Sequence, residues 1–147
     1  MNNAPVVLVV DDDEGHAILV RENLEAAGWN SRIEYFRDGQ AVLDFLFGLG
    51  PGRTLQDGQM YLVLLDIRMP KVDGVEVLRR IKADAELRKL PVIMLTTTDD
   101  LRDVARCHEL GCNVYIQKPV DYEKFAEAIR RLGQFMSMLL VPPVHAH

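Results

Sequence analysis

Cysteine is nearly absent: Cys107 and Cys112 are the only two in 147 residues, with no CxxC spacing and no pair of histidines at metal-ligand distance. That excludes a disulfide scaffold and a thiolate zinc centre, and leaves two reduced thiols to which no chemistry is assigned. No apolar run approaches the roughly 18–20 residues that cross a bilayer, so a membrane span is excluded. Positive charge is not in excess either. The formal net charge of −5 argues against a nucleic-acid partner and favours a basic partner or a bound cation. The opening MNNAPVVLVV has no basic flank and no cleavage-like segment, so no secretory leader is expected and the expected location is cytoplasmic. Repeats and low-complexity tracts are missing, and the length fits a single domain over residues 1–147.

What is present is an alternation. Five short apolar runs, at 6–10, 32–36, 61–65, 92–95 and 114–116, read as strands. Four lack strict alternation, as strands buried on both faces do; the second alternates more and suits a sheet edge. Helical spacing fills the gaps. Ala17, Val20, Leu24 and Ala27 form one face, closed at Gly28, and Ala41, Val42, Phe45 and Leu46 a second. Val75, Leu78 and Ile81 form a third; Leu101, Val104, Ala105 and His108 a fourth, stopped by Gly111; Phe125, Ile129, Leu132, Met136 and Leu139 a fifth. Strict βα alternation predicts an α/β fold, a parallel sheet covered by helices on both sides. The segment GLGPGRTLQDGQ, residues 48–59, is a long surface loop, and the tail VPPVHAH is expected to fray.

In such a sheet ligands gather beyond the carboxyl ends of the strands. The residues that follow the runs are Asp11-Asp12-Asp13, then Asp66, then Thr96, then Lys118-Pro119. Crowded carboxylates repel by about 1–4 kcal/mol per pair at 4 Å, so a positive charge must sit among them. Oxygen donors without His or Cys select a hard cation, with Mg²⁺ the first candidate and Mn²⁺ or Ca²⁺ able to take its place.

The stretches VLVVDDDEG, LLDIRMPKVDG, IMLTTT and YIQKP, in this order and spacing, resemble the receiver domain of two-component response regulators over about residues 5–132. The resemblance implies a flavodoxin-like, doubly wound sheet of five strands in the order 2-1-3-4-5 with five helices. It implies Asp66 as phosphoryl acceptor. Asp11, Asp12, Asp66 and the main-chain carbonyl of Arg68 would then be metal ligands. Thr96, with Thr97 beside it, and Lys118 would contact the phosphoryl group, and Tyr115 would be the aromatic that registers it. It further implies a cis Lys118–Pro119 bond, and side chains at Arg68 and Thr98 that tune hydrolysis of the acyl phosphate. The donor would be a phosphohistidine on a sensor histidine kinase, and the readout the surface formed by the fourth helix, fifth strand and fifth helix.

The long loop, the tail and TTTDDLRDVARCHELG are similar to stand-alone regulators paired with bacterial phytochrome kinases, so a bacteriophytochrome is the donor this subfamily implies. The extension at about 133–147, through Phe135, Met136, Met138, Leu139 and Leu140, is apolar around too much of its circumference for one side to face water, and is expected to form a homodimer together with that same surface, with folding back onto the domain as the alternative. Asp13 is a third acid where the family commonly has two and reads as a solvated loop residue. Thr97 replaces the usual small residue and narrows access. His16 reads as a surface histidine, Gly39 and Gly74 merely open helices, and His145 and His147 form a tail able to pick up adventitious metal. Two other functions compete. A haloacid-dehalogenase-type phosphatase needs a second acid two residues after the nucleophile, where this chain has Arg68, and an FMN carrier needs a loop that three aspartates would spoil. A receiver-like protein-binding module that works without phosphorylation stands as the alternative.

Overall fold

The computed structural model describes residues 4–146. Strands β1 Val6–Val10, β2 Ile33–Phe36, β3 Tyr61–Leu65, β4 Val92–Thr96 and β5 Val114–Gln117 form one parallel sheet in the order β2-β1-β3-β4-β5. Helices α1 Glu14–Ala26, α2 Gly39–Phe47, α3 Gly74–Ala83, α4 Leu101–Leu110 and α5 Tyr122–Met136 connect and flank them, and a 3₁₀ turn at Leu87–Lys89 precedes β4. The architecture is flavodoxin-like and doubly wound, as expected. No described helix is long and apolar enough to cross a membrane.

Two cores explain why the strands read as unbroken apolar runs. Val7, Val9, Leu62, Leu64, Ile93 and Leu95 pack with α1 and α5 through Val20, Leu24, Phe125 and Ile129. Leu8, Val10, Val63, Leu65 and Met94 pack on the opposite face with Phe45, Val77, Leu78 and Ile81. Successive side chains alternate faces, and both faces are covered. Every α-helix starts on an aspartate: Asp13, Asp38, Asp73, Asp100 and Asp121 each accept a backbone N–H of the first turn. A cap of this kind stabilises by about 1 kcal/mol. Five of the chain's 22 acidic residues are therefore accounted for by local structure.

Three expectations need correction. On α4, Leu101, Ala105 and His108 are exposed, and Cys107 is the one fully buried residue, with Val104 and Leu110 half-buried. A thiol behaves as a small hydrophobe, and in a short, charged helix it decides which face turns inward. β5 is a sheet edge whose Val114, Tyr115 and Ile116 are half-buried, not a strand covered on both faces.

The tail does not fray. Val144 is fully buried in the core on the α2–α3 side, and Val141 is buried too. The N–H of Gly58 donates to the Val144 carbonyl at 2.8 Å, and the N–H of Val144 to the Gln59 carbonyl at 3.1 Å. Pro142 and Pro143 favour an extended backbone, so little freedom is lost when Val144 docks. The ring of His145 lies 3.3 Å from Asp57; His147 lies outside the described residues.

The thiols lead to a testable expectation. Burial pushes the Cys107 thiol from its ordinary 9.0 up to about 11, and raises that of Cys112 as well. The thiolate is the reactive form. Native protein at pH 8 is therefore expected to resist a thiol reagent such as DTNB and to release two equivalents of chromophore once unfolded in urea. A raised thiol pKa favours the folded state below pH 9, and that contribution is lost as pH rises toward 11. Urea midpoints should fall over this window, by less in Cys107→Ala than in the parent.

Candidate functional site

Strand register assembles the site. Val10 pairs with Leu65, so Asp11 and Asp66 leave adjacent strands side by side. Leu65 pairs with Met94, and Thr96 with Gln117, which brings Thr96 and Lys118 to the same end of the sheet. Asp11, Asp66, Thr96 and Lys118 are all buried, the polar minority of an apolar interior. Asp12 is exposed, yet its carboxylate lies with those of Asp11 and Asp66 in a group whose oxygens fall within 4.8 Å of one another. Asp13 stands outside this group. Its side chain accepts the His16 N–H at 3.2 Å and caps α1.

Each buried charge is held. Asp66 Oδ1 accepts the N–H of Ile67 at 2.7 Å, and Oδ2 accepts from Lys118 Nζ at 3.2 Å. Asp11 Oδ1 accepts the N–H of Asp13 at 2.9 Å, and its Oδ2 takes a short hydrogen bond from Lys118 Nζ. Burial pushes the Asp11 carboxyl above its ordinary range, against the opposing pull of the Lys118 ammonium. The side chain of Lys118 is 2% exposed, so its charge is matched inside the protein rather than by water.

Around these charges lies a ring of residues able to respond. Thr96 Oγ1 accepts the N–H of Thr98 at 3.3 Å, and the Tyr115 hydroxyl donates to the Thr98 carbonyl at 2.9 Å. Burial raises that hydroxyl's pKa to about 12. Thr97 is exposed at the rim. The Arg68 guanidinium reaches across to Asp103 on α4 at 3.3 Å.

Several site expectations change. No cis peptide bond occurs among the described residues, so the Lys118–Pro119 bond is trans, the intrinsically lower-energy isomer. Met136, expected at a dimer surface, is fully buried in the chain's own core, because its helical spacing from Leu132 and Ile129 turns it toward α1 and the sheet. Phe135, Met138 and Leu140 are exposed, while Leu139 is half-buried.

Gly39 and Gly74 do more than open helices. A Cβ on Gly74 would stand 1.9 Å from the carbonyl oxygen of Asp66, and one on Gly39 would stand 1.9 Å from that of Val72. Both follow a helix-capping aspartate, in Asp38-Gly39 and Asp73-Gly74, but the pair alone is no signal, since Gly58 of Asp57-Gly58 would meet nothing within 4 Å. His16 was also missed. It is no isolated surface residue, since its Nδ1 lies 3.2 Å from Lys118 Nζ.

Three carboxylates within reach of one ion, with no imidazole or thiolate among them, make a donor set for a hard divalent cation. Asp66 joins this set while lying against an ammonium, so an anionic group attached to it would meet positive charge at once.

A profile of the response regulator receiver domain matches residues 7–130. The response regulator Rcp1 of Synechocystis sp. is 32% identical over 134 residues, which cover 91% of this chain and 90% of Rcp1. A solved Mn²⁺-bound form of response regulator Rcp1 superposes with a TM-score of 0.83 at 30% identity, covering 94% of this chain and 99% of that one. A receiver domain structure from Rhodospirillum rubrum superposes at 0.89 with 44% identity, covering 96% and 99%. For the bacteriophytochrome response regulator RtBRR the score is 0.73 at 37% identity, covering 95% and 84%. A profile match over most of the sequence, joined to relatives above 30% identity along nearly their whole length, settles kinship: the chain belongs to the response regulator receiver domains.

Proposed function

We propose that this receiver acts in the cytoplasm as a response regulator, switched by transfer of a phosphoryl group from a kinase phosphohistidine to Asp66. The observation that carries this reading is the buried Asp66 carboxylate touched by Lys118 within the Asp11–Asp12–Asp66 group. An Asp66 oxygen forms the new O–P bond as the N–P bond of the phosphohistidine breaks, and the imidazole leaves with a proton. Lys118 neutralises charge on the transferred oxygens, and Thr96 and Thr97 donate to them. Asp11, Asp12, Asp66 and the Arg68 carbonyl would hold Mg²⁺, whose positive charge stabilises the same oxygens when it is bound.

As Thr96 turns toward the phosphoryl group it releases the Thr98 N–H, and Tyr115 leaves the Thr98 carbonyl. The α4-β5-α5 surface then changes population. Arg68 and Thr98 flank the approach of water and set the lifetime of the acyl phosphate. Kinship with the bacteriophytochrome response regulator RtBRR supports a sensor histidine kinase of the bacteriophytochrome type as donor. The net charge of −5 supports a function without nucleic acid.

Incubation with acetyl phosphate and Mg²⁺ is expected to add one labile phosphoryl group by intact mass, lost in Asp66→Asn and absent when EDTA removes the metal. No adduct on the wild type would leave a phosphorylation-independent binding module as the remaining reading.

Assembly follows from the exposed tail. Met138 is 74% exposed and Leu140 99%, beside a 42% exposed Phe135, and hiding them in a second copy removes this apolar surface from water. Light scattering is expected to give a dimer mass for the wild type and a monomer mass for Met138→Glu/Leu140→Glu. A wild-type monomer under phosphorylating and non-phosphorylating conditions alike would refute the dimer.

A further inference from the structure

Lys118 carries three N–H donors on a buried ammonium. Two are taken by carboxylates, Asp11 Oδ2 and Asp66 Oδ2. The third points to His16 Nδ1, at 3.2 Å. An ammonium in a dry setting needs every donor filled, so this imidazole completes its shell. Because Nδ1 faces a cationic donor, while the nearest carboxylate oxygens stand at 3.6 Å and 3.9 Å, it serves as the acceptor. The ring's remaining proton is then assigned to Nε2.

The acceptor is itself fixed from two sides. The His16 N–H is tied to the Asp13 carboxylate at 3.2 Å, and the ring lies 5.6 Å from that of Phe125 on α5. Phe125 is buried in the core between α1, α5 and the sheet. These contacts place the half-buried ring beside the strand ends. A neutral acceptor also adds no negative charge to a place that already holds three aspartates.

We infer that His16 is a positioning residue for phosphoryl transfer: by accepting one hydrogen of Lys118 it holds the ammonium where it meets the phosphoryl group on Asp66, instead of letting it settle wholly onto Asp11. This rests on the phosphorylation reading above. With Asp66 modified, the contact from Lys118 to Asp66 must pass to a phosphoryl oxygen, while the Asp11 and His16 contacts keep the ammonium in place for that exchange.

The test uses His16→Leu, which has no acceptor, and His16→Asn, whose side-chain oxygen can occupy the place of Nδ1, each alone and with Lys118→Met. Rates of phosphorylation are measured against acetyl phosphate concentration at saturating Mg²⁺, Mg²⁺ affinity by calorimetry, and folding by urea midpoint. His16→Leu is expected to lower the limiting rate about ten- to a hundred-fold, as misplacing a reacting group by about 1 Å does. Mg²⁺ affinity should stay unchanged, and His16→Asn should stay within about threefold of the wild type. In the Lys118→Met background, His16→Leu should have no further effect.

Equal losses in Leu and Asn variants, a loss that persists without Lys118, or a wild-type rate in His16→Leu would each overturn the inference while leaving the phosphorylation reading intact. If the wild type takes no phosphoryl group, that reading fails instead, and the ¹⁵N resonance of the Lys118 ammonium decides. A slowly exchanging signal lost in His16→Leu and kept in His16→Asn supports the hold, and an unchanged signal in both refutes it.

Discussion

Replacing Lys118 by methionine is expected to cost the metal-free protein about 3–5 kcal/mol near neutral pH, the range found when one partner of a buried ion pair is removed. The side chain is 2% exposed and touches both Asp11 and Asp66, so methionine fills the volume and strands two carboxylates. Burial already raises the Asp11 pKa, and Lys118 is the largest opposing influence, so its loss drives that pKa higher still. A carboxyl raised in this way favours the folded state while protonated, below the ordinary carboxylate range, and the contribution disappears as pH climbs through the raised value. Lys118→Met should therefore lie nearest the wild type in acid and furthest from it at pH 7. Added Mg²⁺ should stabilise the variant by about 2.7 kcal/mol at a hundred times its dissociation constant, since the ion supplies positive charge to the stranded carboxylates. Urea unfolding with and without Mg²⁺, at pH 4 and pH 7, checks all of this. A variant as stable as the wild type in EDTA at pH 7 would show that the ammonium is not what balances the acids.

Gly74→Ala sets two effects of opposite sign against each other. Helix propensity alone favours alanine by about 1 kcal/mol. The new methyl, however, would stand 1.9 Å from the Asp66 carbonyl oxygen and 2.8 Å from the Ile67 Cα, both backbone atoms with no rotamer to yield. Either α3 lifts away, breaking the 2.8 Å hydrogen bond from the Gly74 N–H to the Ile67 carbonyl, or the end of β3 is displaced together with Asp66. Overpacking of this kind costs about 1–3 kcal/mol and more where backbone meets backbone, so a loss of about 3 kcal/mol is expected, with slower phosphorylation. Gly133→Ala is the milder comparison, its Cβ 3.2 Å from the Leu24 Cδ2, which can rotate away, and 3.2 Å from the Ala27 Cβ. A Gly74→Ala protein with unchanged midpoint and rate would mean that α3 is not seated against the Asp66 backbone.

The elements and the strand-end acids could be read in advance because both rest on local rules. Apolar runs such as 61–65 mark doubly covered strands, and the residue after each run must emerge at the carboxyl edge. Features that depend on how separate pieces approach one another were not legible. Periodicity says nothing about the carbonyl that will lie over Gly74. His16 and Lys118 are 102 residues apart, so their contact exists only once α1 and β5 flank β1, β3 and β4. Cys107 turned α4 by being a hydrophobe disguised as a polar letter. Val144 found a berth because the residues around Gly58 offered backbone partners, which no hydropathy pattern encodes. The trans bond before Pro119 differs from the expectation because that expectation came from kinship, not from these residues.

The unequal seating of α3 and α4 sets an energy scale. Val77, Leu78 and Ile81 anchor α3, and at about 1.5–3 kcal/mol for each buried side chain, detaching that helix would cost about 5–9 kcal/mol. α4 is anchored more lightly, by one fully buried small thiol, by the half-buried Val104 and Leu110, and by an Arg68–Asp103 pair at the surface, of a kind that contributes about 1 kcal/mol or less. Two charge-assisted hydrogen bonds, about 1.5–3 kcal/mol each, are commensurate with the second anchorage and fall short of the first. A perturbation of that size at the strand ends would thus bear on α4 well before it could dislodge α3.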